Sequence, residues 1–250
     1  MKSKVLDLIN RGFWGTLDWV YPPVCASCGE PGERLCGDCH AQIKLITGKC
    51  CLTCGVPMRG TPERCCACLT MPRPYTAVRN LAVYDGVIRD CIHALKYENN
   101  QGIGVVFTDE LAAVVVAAGW SPGLVMPVPL SRQRRAERGY NQAALLARPL
   151  AARLAARYHP FGLERIRDTA SQVGLSGEAR RQNVSGAFKA LPEIVAGQQV
   201  LLIDDVMTTG STLEACAVAL CDAGASAVYC LTLARFAVRT GISQRTRLKV

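Results

Sequence analysis

Aromatic residues make up only 6% of the 250-residue chain, and few of them interleave with its arginines. A stacking platform for single-stranded nucleic acid, which needs aromatic faces along a basic groove, is therefore not evident. The phosphate-cradling Gly-x4-Gly-Lys-Ser/Thr loop is also missing. Its one Gly-Lys pair, Gly48-Lys49, runs straight into Cys50, which excludes a P-loop nucleotide hydrolase. No helix-turn-helix pattern appears. Over 105–119 the chain is apolar, but Asp109 and Glu110 interrupt it and it is too short to span a bilayer. Residues 1–21 lack the apolar core of a signal peptide, because Asp7, Asn10, Arg11 and Asp18 break it. The expectation is a cytoplasmic chain with no membrane span.

What is present is enough to fold. Half the residues are hydrophobic, ample for a core in one large domain or a small one plus a medium one. The formal net charge is +9, with arginines concentrated over 132–181. Anionic ligands such as pyrophosphate or nucleic acid suit that balance, although a charge run is more often just a solvated face.

Ten of the fourteen cysteines fall between Cys25 and Cys68. They form four knuckles: Cys25-x2-Cys28, Cys36-x2-Cys39, Cys51-x2-Cys54 and Cys65-x2-Cys68. Each Cys-x2-Cys turn presents two sulfurs to one ion, and tetrahedral zinc takes four. In a cytosolic chain this spacing reads as metal binding rather than disulfides. Two structural Zn²⁺ are expected, one on Cys25, Cys28, Cys36 and Cys39, the other on Cys51, Cys54, Cys65 and Cys68; a crossed pairing is also open. Eight thiolates against two dications would bring the net charge to about +5. Cys50 and Cys66 read as spectators, and His40 as a surface residue. Cys91, Cys216, Cys221 and Cys230 read as small buried hydrophobes. A short segment so poor in apolar residues needs such staples to fold.

Met71-Pro72-Arg73-Pro74 reads as a stiff linker, dividing residues 1–72 from a second domain over 73–250. There the pattern alternates. Strands are expected over 77–84, 124–128, 200–203 and 227–233. Helices are expected over 87–97, 105–118 and 141–158, with Pro149 kinking or breaking the last, and from Thr212 to a stop at Gly224. Such alternation indicates an α/β fold with a mainly parallel sheet flanked by helices, binding ligands beyond the carboxyl ends of its strands.

The most informative stretch follows the 200–203 strand: Asp204, Asp205, then Thr208, Thr209, Gly210, Ser211 and Thr212. Strand, tight loop and helix start make an anion site from free amides, hydroxyls and the helix dipole. Acids at the strand end can hold what the phosphate is attached to, such as ribose hydroxyls or a metal. A hydroxyl from Thr208, Ser211 or Thr212 could simply cap the helix, but a cap explains neither acid. Response-regulator pockets also pair acids, without this hydroxyl-rich turn. Two further segments fit the same site. The arginine-rich stretch 132–138 leads from a strand into a helix and suits a second anion. The polar, basic stretch 167–188 reads as a long mobile loop or hairpin, of a composition that lids over phosphorylated substrates use. Lys96, at the end of the 87–97 helix, is either a ligand group or a favourable charge at a helix C-terminus.

The acid-and-hydroxyl loop resembles the 5-phosphoribosyl-1-pyrophosphate (PRPP) loop of type I phosphoribosyltransferases. Across nearly the whole chain, the sequence resembles the ComF family of competence-protein-F-like proteins, which place a double zinc ribbon before a phosphoribosyltransferase fold. The likeness rests on the four knuckles, Leu95-Lys96-Tyr97, Pro127-Val128-Pro129-Leu130 and Arg134. It extends to Arg138-Gly139-Tyr140-Asn141-Gln142, Thr169, Gln172, Arg180, Asn183-Val184, Gly186-Ala187-Phe188 and the acid-and-hydroxyl loop. Tyr140 stands where the family commonly has Phe, and Pro149 is the departure within a helix.

The resemblance implies PRPP bound with Mg²⁺: Asp204 and Asp205 on the ribose, Thr208 to Thr212 on the 5′-phosphate, and Lys96, Arg134 and Arg138 on the pyrophosphate. Gln172, Arg180 and Asn183 would belong to the mobile loop. It also implies a role in uptake or use of external DNA, with single-stranded DNA and a DNA-uptake helicase or recombination protein as partners. Two readings follow. One is a PRPP-dependent transferase of the glycosyltransferase type, acting on an unidentified base, as in nucleobase salvage. The other is a non-catalytic DNA-binding module.

Overall fold

The computed structural model describes residues 23–58, 60, 63–98, 100–167 and 183–237. Five parallel strands form the central sheet: β1 (Ala77–Val83), β2 (Leu124–Pro127), β3 (Arg157–Tyr158), β6 (Gln199–Met207) and β7 (Ala227–Arg235). Their spatial order is β1-β7-β6-β2-β3. Two short strands, β4 (Leu163–Arg165) and β5 (Phe188–Ala190), pair antiparallel as a separate hairpin.

Helices cover both faces, as a buried parallel sheet requires. On one face lie α3 (Gly86–Tyr97), α4 (Ile103–Val106), α5 (Thr108–Ala117) and α7 (Gln142–Arg153). Their Ile88, Ile92, Ile103, Leu111 and Leu146 pack on Leu201, Ile203, Leu231 and Leu233. On the other face, α8 (Pro192–Val195), α9 (Ser211–Asp222) and the hairpin pack Val195, Leu213, Cys216 and Phe188 on Val200, Leu202 and Cys230. The alternation of β6 between the two cores is the period-2 pattern of a strand buried on both sides.

The fold class expected from the sequence is therefore observed, with local differences. Strand β6 does not stop at 203 but runs through both acids to Met207, because β7 pairs with it up to Met207–Arg235. The expected 105–118 helix is two helices meeting at Phe107, and 157–158 is an edge strand rather than a helix end. Helix α7 runs unbroken through Pro149. Proline leaves the Leu145 carbonyl without its helical donor, and the buried Gly104 of α4 sits against that oxygen; a Cβ on Gly104 would lie 2.6 Å from it. Cys91, Cys216 and Cys230 are fully buried, but Cys221 is exposed and its thiol donates to the Pro74 carbonyl.

The cysteine-rich segment carries α1 (Gly37–Ala41) and α2 (Cys66–Thr70) and is folded onto the sheet. The Leu81 carbonyl accepts from the Ile46 amide at 2.9 Å, and the Val83 amide donates to the Lys44 carbonyl at 2.9 Å. These bonds cover part of the β1 edge, which would otherwise expose unpaired backbone. Cys25, Leu35 and Cys39 join the same core as α3 and α7.

Candidate phosphate and metal sites

The site sits where the carboxyl end of β6 meets the starts of α7 and α9. Strand alternation sends the adjacent acids to opposite faces. Asp205 follows Leu201 and Ile203 toward α3 and α7, and is 3% exposed. There it forms an ion pair with Lys96, on the last turn of α3. Its other oxygen accepts from Gln142 Nε2 at 3.0 Å. Gln142 Oε1 accepts in turn from Arg138 Nη1 at 3.0 Å, and the Arg138 guanidinium lies 5.1 Å over the Tyr97 ring. Lys96, Asp205, Gln142, Arg138 and Tyr97 thus close into one ring of contacts. Burial pushes the Asp205 carboxyl up, but the Lys96 charge, with hydrogen bonds from Lys96 and Gln142, outweighs it and brings the net shift below the usual range.

The arginine-rich stretch is held in place by its caps. Helix α6 (Arg132–Arg138) starts at Ser131, whose Oγ accepts from the Arg134 amide at 3.2 Å. It ends at Gly139, in the left-handed conformation (φ 75°) that glycine adopts without a Cβ penalty. The next helix starts at Asn141, which caps Ala143 and donates to the Val128 carbonyl, while the Tyr140 hydroxyl donates to the Leu95 carbonyl at 2.7 Å. Arg138 thereby reaches the acid ring, while Arg134 is exposed one turn earlier.

Asp204 lines a recess with Met207, Thr208, Gly210, Ser211 and Thr212, its carboxyl still beside that of Asp205. One of its oxygens accepts from the Asp205 amide at 2.9 Å. Burial, and then the Asp205 charge, push its carboxyl well above the usual range. The turn itself places Gly210 at the N-cap of α9 with φ 86°, and the helix start has no side-chain cap. The N-cap is thus a glycine rather than a hydroxyl residue, although Thr209 Oγ1 accepts from the Ser211 amide at 3.4 Å. Thr208 and Thr209 are exposed, and Thr209 Oγ1 lies 2.8 Å from Ser211 Oγ. Hydroxyls, first-turn amides and one carboxyl therefore surround a single recess, a suitable receptor for a phosphate monoester.

Asn183, from the expected lid, offers its backbone carbonyl to Arg167 at 3.1 Å. Gln172 and Arg180 lie outside the described residues.

The eight knuckle cysteines form two groups, Cys25/Cys28/Cys36/Cys39 and Cys51/Cys54/Cys65/Cys68, with each group's sulfurs within 4.8 Å of one another. This is the sequential pairing; the crossed one is not adopted. All-thiol tetrads of this compactness fit zinc. Burial raises the Cys25 and Cys51 thiols, but backbone amides, including those of Cys36 and Cys65, outweigh it and bring each down to about 6. Those amide–sulfur contacts are the second-sphere support that metal thiolates use. Cys50 and Cys66 stand outside both groups, and exposed His40 bonds Glu110 on α5 at 2.7 Å.

A double zinc ribbon family model matches residues 16–69, and a phosphoribosyl transferase domain model matches 140–246. The DNA utilization protein YhgH of Escherichia coli K12 is 35% identical over 224 residues, 86% of this chain and 97% of that protein. Competence protein F of Haemophilus influenzae is 32% identical, covering 72% of this chain and 81% of its own. The chain belongs to the ComF family. Competence protein ComFC of Bacillus subtilis is 28% identical over 82% of this chain and 86% of its own. Within this ComF-family chain, Gln142 is the site residue that sequence reading left without a role. Its signal is a polar side chain only 4% exposed, bridging two charged ones.

Proposed function

We propose that this ComF-family protein binds PRPP with Mg²⁺ at the end of β6 and acts in the uptake or utilisation of external DNA. The observation that carries the ligand is the turn 208–212: a glycine N-cap with no side-chain bond of its own, and the hydroxyls of Thr208, Ser211 and Thr212 with Asp204 on one recess. The 5′-phosphate is received by the first-turn amides of α9 and the hydroxyls of Thr208, Thr209, Ser211 and Thr212. Asp204 turns toward the ribose hydroxyls. Asp205 reaches the same sugar from the opposite face once Lys96 turns to the pyrophosphate. Arg134 and Arg138 add positive charge on that side.

The donor set suits Mg²⁺: a hard carboxylate oxygen, on a group that burial and then the Asp205 charge push above the usual carboxylate range and that a cation would relieve. Bound there, the cation would neutralise pyrophosphate charge. If the site turns over, pyrophosphate leaves C1 of the ribose and a nitrogen nucleophile arrives. The chain's own contribution is then positioning and charge balance.

The DNA context comes from relatives named for DNA utilization and competence. The net charge, +9 formally and still positive with eight thiolates on two zinc ions, supports a direct, salt-sensitive contact with single-stranded DNA. Titration across ionic strength should show affinity falling steeply with salt; no binding at low salt would remove direct contact from this proposal.

Calorimetry decides the ligand. PRPP with Mg²⁺ should bind the wild-type chain and fail to bind a variant carrying Asp204→Asn and Asp205→Asn, with zinc content unchanged. A wild type that ignores PRPP ends the assignment. Pyrophosphate release with one base would identify an enzyme, and release with none would identify a ligand-binding DNA-handling protein.

A further inference from the structure

Two arginines that the phosphate site does not use join its loop to the second cysteine quartet. Arg73, just past the last knuckle, has a side chain 13% exposed and forms an ion pair with Glu214, at 14%. Glu214 lies in the first turn of α9, its amide donating to the Gly210 carbonyl at 2.9 Å. The same guanidinium interacts with the Cys68 sulfur. Arg235, the last residue of β7, is 7% exposed. Its Nη1 donates to the Cys54 carbonyl at 2.6 Å and lies 3.9 Å from the Met207 sulfur. Met207 is its register partner at the end of β6, directly before the loop. The Met207 methyl sits under Gly210, where a Cβ would be 2.6 Å away.

The second quartet thus reaches both ends of the loop: Cys68 through Arg73 and Glu214 to the start of α9, Cys54 through Arg235 and Met207 to the end of β6. The first quartet makes different contacts. It packs into the opposite core through Cys25 and Cys39, and the neighbouring Ser27 hydroxyl donates to Asp90 on α3 at 2.9 Å.

We propose that Arg73 and Arg235 are positioning residues through which metal at Cys51, Cys54, Cys65 and Cys68 holds the phosphate loop in place. Metal at the first quartet has no such effect. Four thiolates around a dication leave a net negative tetrad, and a buried guanidinium beside it completes the second sphere. Without metal, the knuckles that place the Cys68 sulfur beside Arg73 and the Cys54 carbonyl beside Arg235 lose their clamp.

The loop's order can be read without any ligand, by amide hydrogen exchange over 208–214 in the zinc-loaded full chain. Arg73→Ala should speed exchange there by about ten-fold, the mid-range of such couplings, while zinc content stays that of wild type. Arg73→Lys should recover part of the protection, which mere loss of packing would not predict. Cys65→Ser, which disables the second quartet, should match or exceed Arg73→Ala, and adding Arg73→Ala to it should change little. Cys28→Ser, which disables the first, should leave 208–214 as in wild type. If Cys65→Ser does not fold, the Arg73→Ala and Arg73→Lys pair carries the test alone. Exchange over 208–214 that is unchanged in Arg73→Ala, or raised equally by Cys28→Ser, overturns the proposal.

The link to ligand rests on the PRPP reading, and PRPP calorimetry on the same variants separates the two. An exchange pattern as expected with no PRPP binding to wild type keeps the strut and discards the ligand. PRPP binding to wild type with uniform exchange does the reverse.

Discussion

Asp204 and Asp205 are neighbours in the chain with adjacent carboxyls, but β6 gives them different further partners and opposite titrations. Asp205 is held ionised by Lys96 and Gln142. Its pair contributes stability above the ordinary carboxylate range, lost as pH falls through its depressed value. Asp204 is pushed up, so the folded chain holds its proton longer than the unfolded one does. Its contribution therefore becomes unfavourable as pH rises from about 4 through that raised value. Asp204→Asn should gain on the order of 1 kcal/mol at neutral pH, about 2–4 °C in Tm, with the gain shrinking below pH 4. Lys96→Met should behave oppositely, costing about 3 kcal/mol by stranding the buried Asp205 charge, and Asp205→Asn in the same chain should recover most of it. Denaturant melts across pH would show both. Equal melts for wild type and Asp204→Asn at neutral pH would mean that the recess does not strain that carboxyl. A residue kept at a cost to stability is what a ligand site is expected to contain.

Helix α7 belongs to the scale of the element. Its N-terminus delivers Gln142 to the acid ring, and its middle contains Pro149. The helix tolerates the proline because α4 packs against the turn that proline leaves without a donor, and only a residue without a Cβ fits there. Gly104→Ala would place its methyl 2.6 Å from the Leu145 carbonyl oxygen. That should cost about 1–3 kcal/mol and loosen the start of α7, which thermal melts and PRPP titration would register together. An unchanged Tm would show that α4 can retreat freely. The lesson from β6 is similar. Four apolar residues marked the strand over 200–203, but pairing with β7 carries it on to Met207. The two acids are therefore part of a strand rather than of a loop, and only that extension separates their faces.

At the scale of the whole molecule, the cysteine-rich segment is part of the sheet's architecture. It hydrogen-bonds along β1, supplies Cys25 and Cys39 to the main core, and reaches the two ends of the 208–212 turn through Arg73 and Arg235. Metal analysis of the purified chain should return about two zinc ions. Stripping both with a strong chelator should lower the stability of the whole chain in a single broadened transition, rather than melt a separate head. A preserved sheet melt after stripping would show that the segment is an appendage.

Much of this was legible in the sequence because it depends on local spacing. Cys-x2-Cys turns present two sulfurs to one ion, a short continuous apolar run reads as a buried strand, and a hydroxyl-rich turn around glycine after that strand reads as a helix start. Those rules gave the quartets, the α/β alternation and the candidate anion loop. What spacing could not decide was everything set by contacts distant in the chain. Gln142 bridges Arg138 and Asp205 only because α7 starts beside β6. Lys96 meets an aspartate 109 positions away because α3 ends over the same strand. Arg73 and Arg235 look like ordinary surface charges in the sequence, and the fold buries them between the second quartet and the elements that flank the 208–212 turn. Local geometry is fixed by a few neighbouring dihedrals, whereas the partner of a buried charge is chosen by whichever element the fold packs against it.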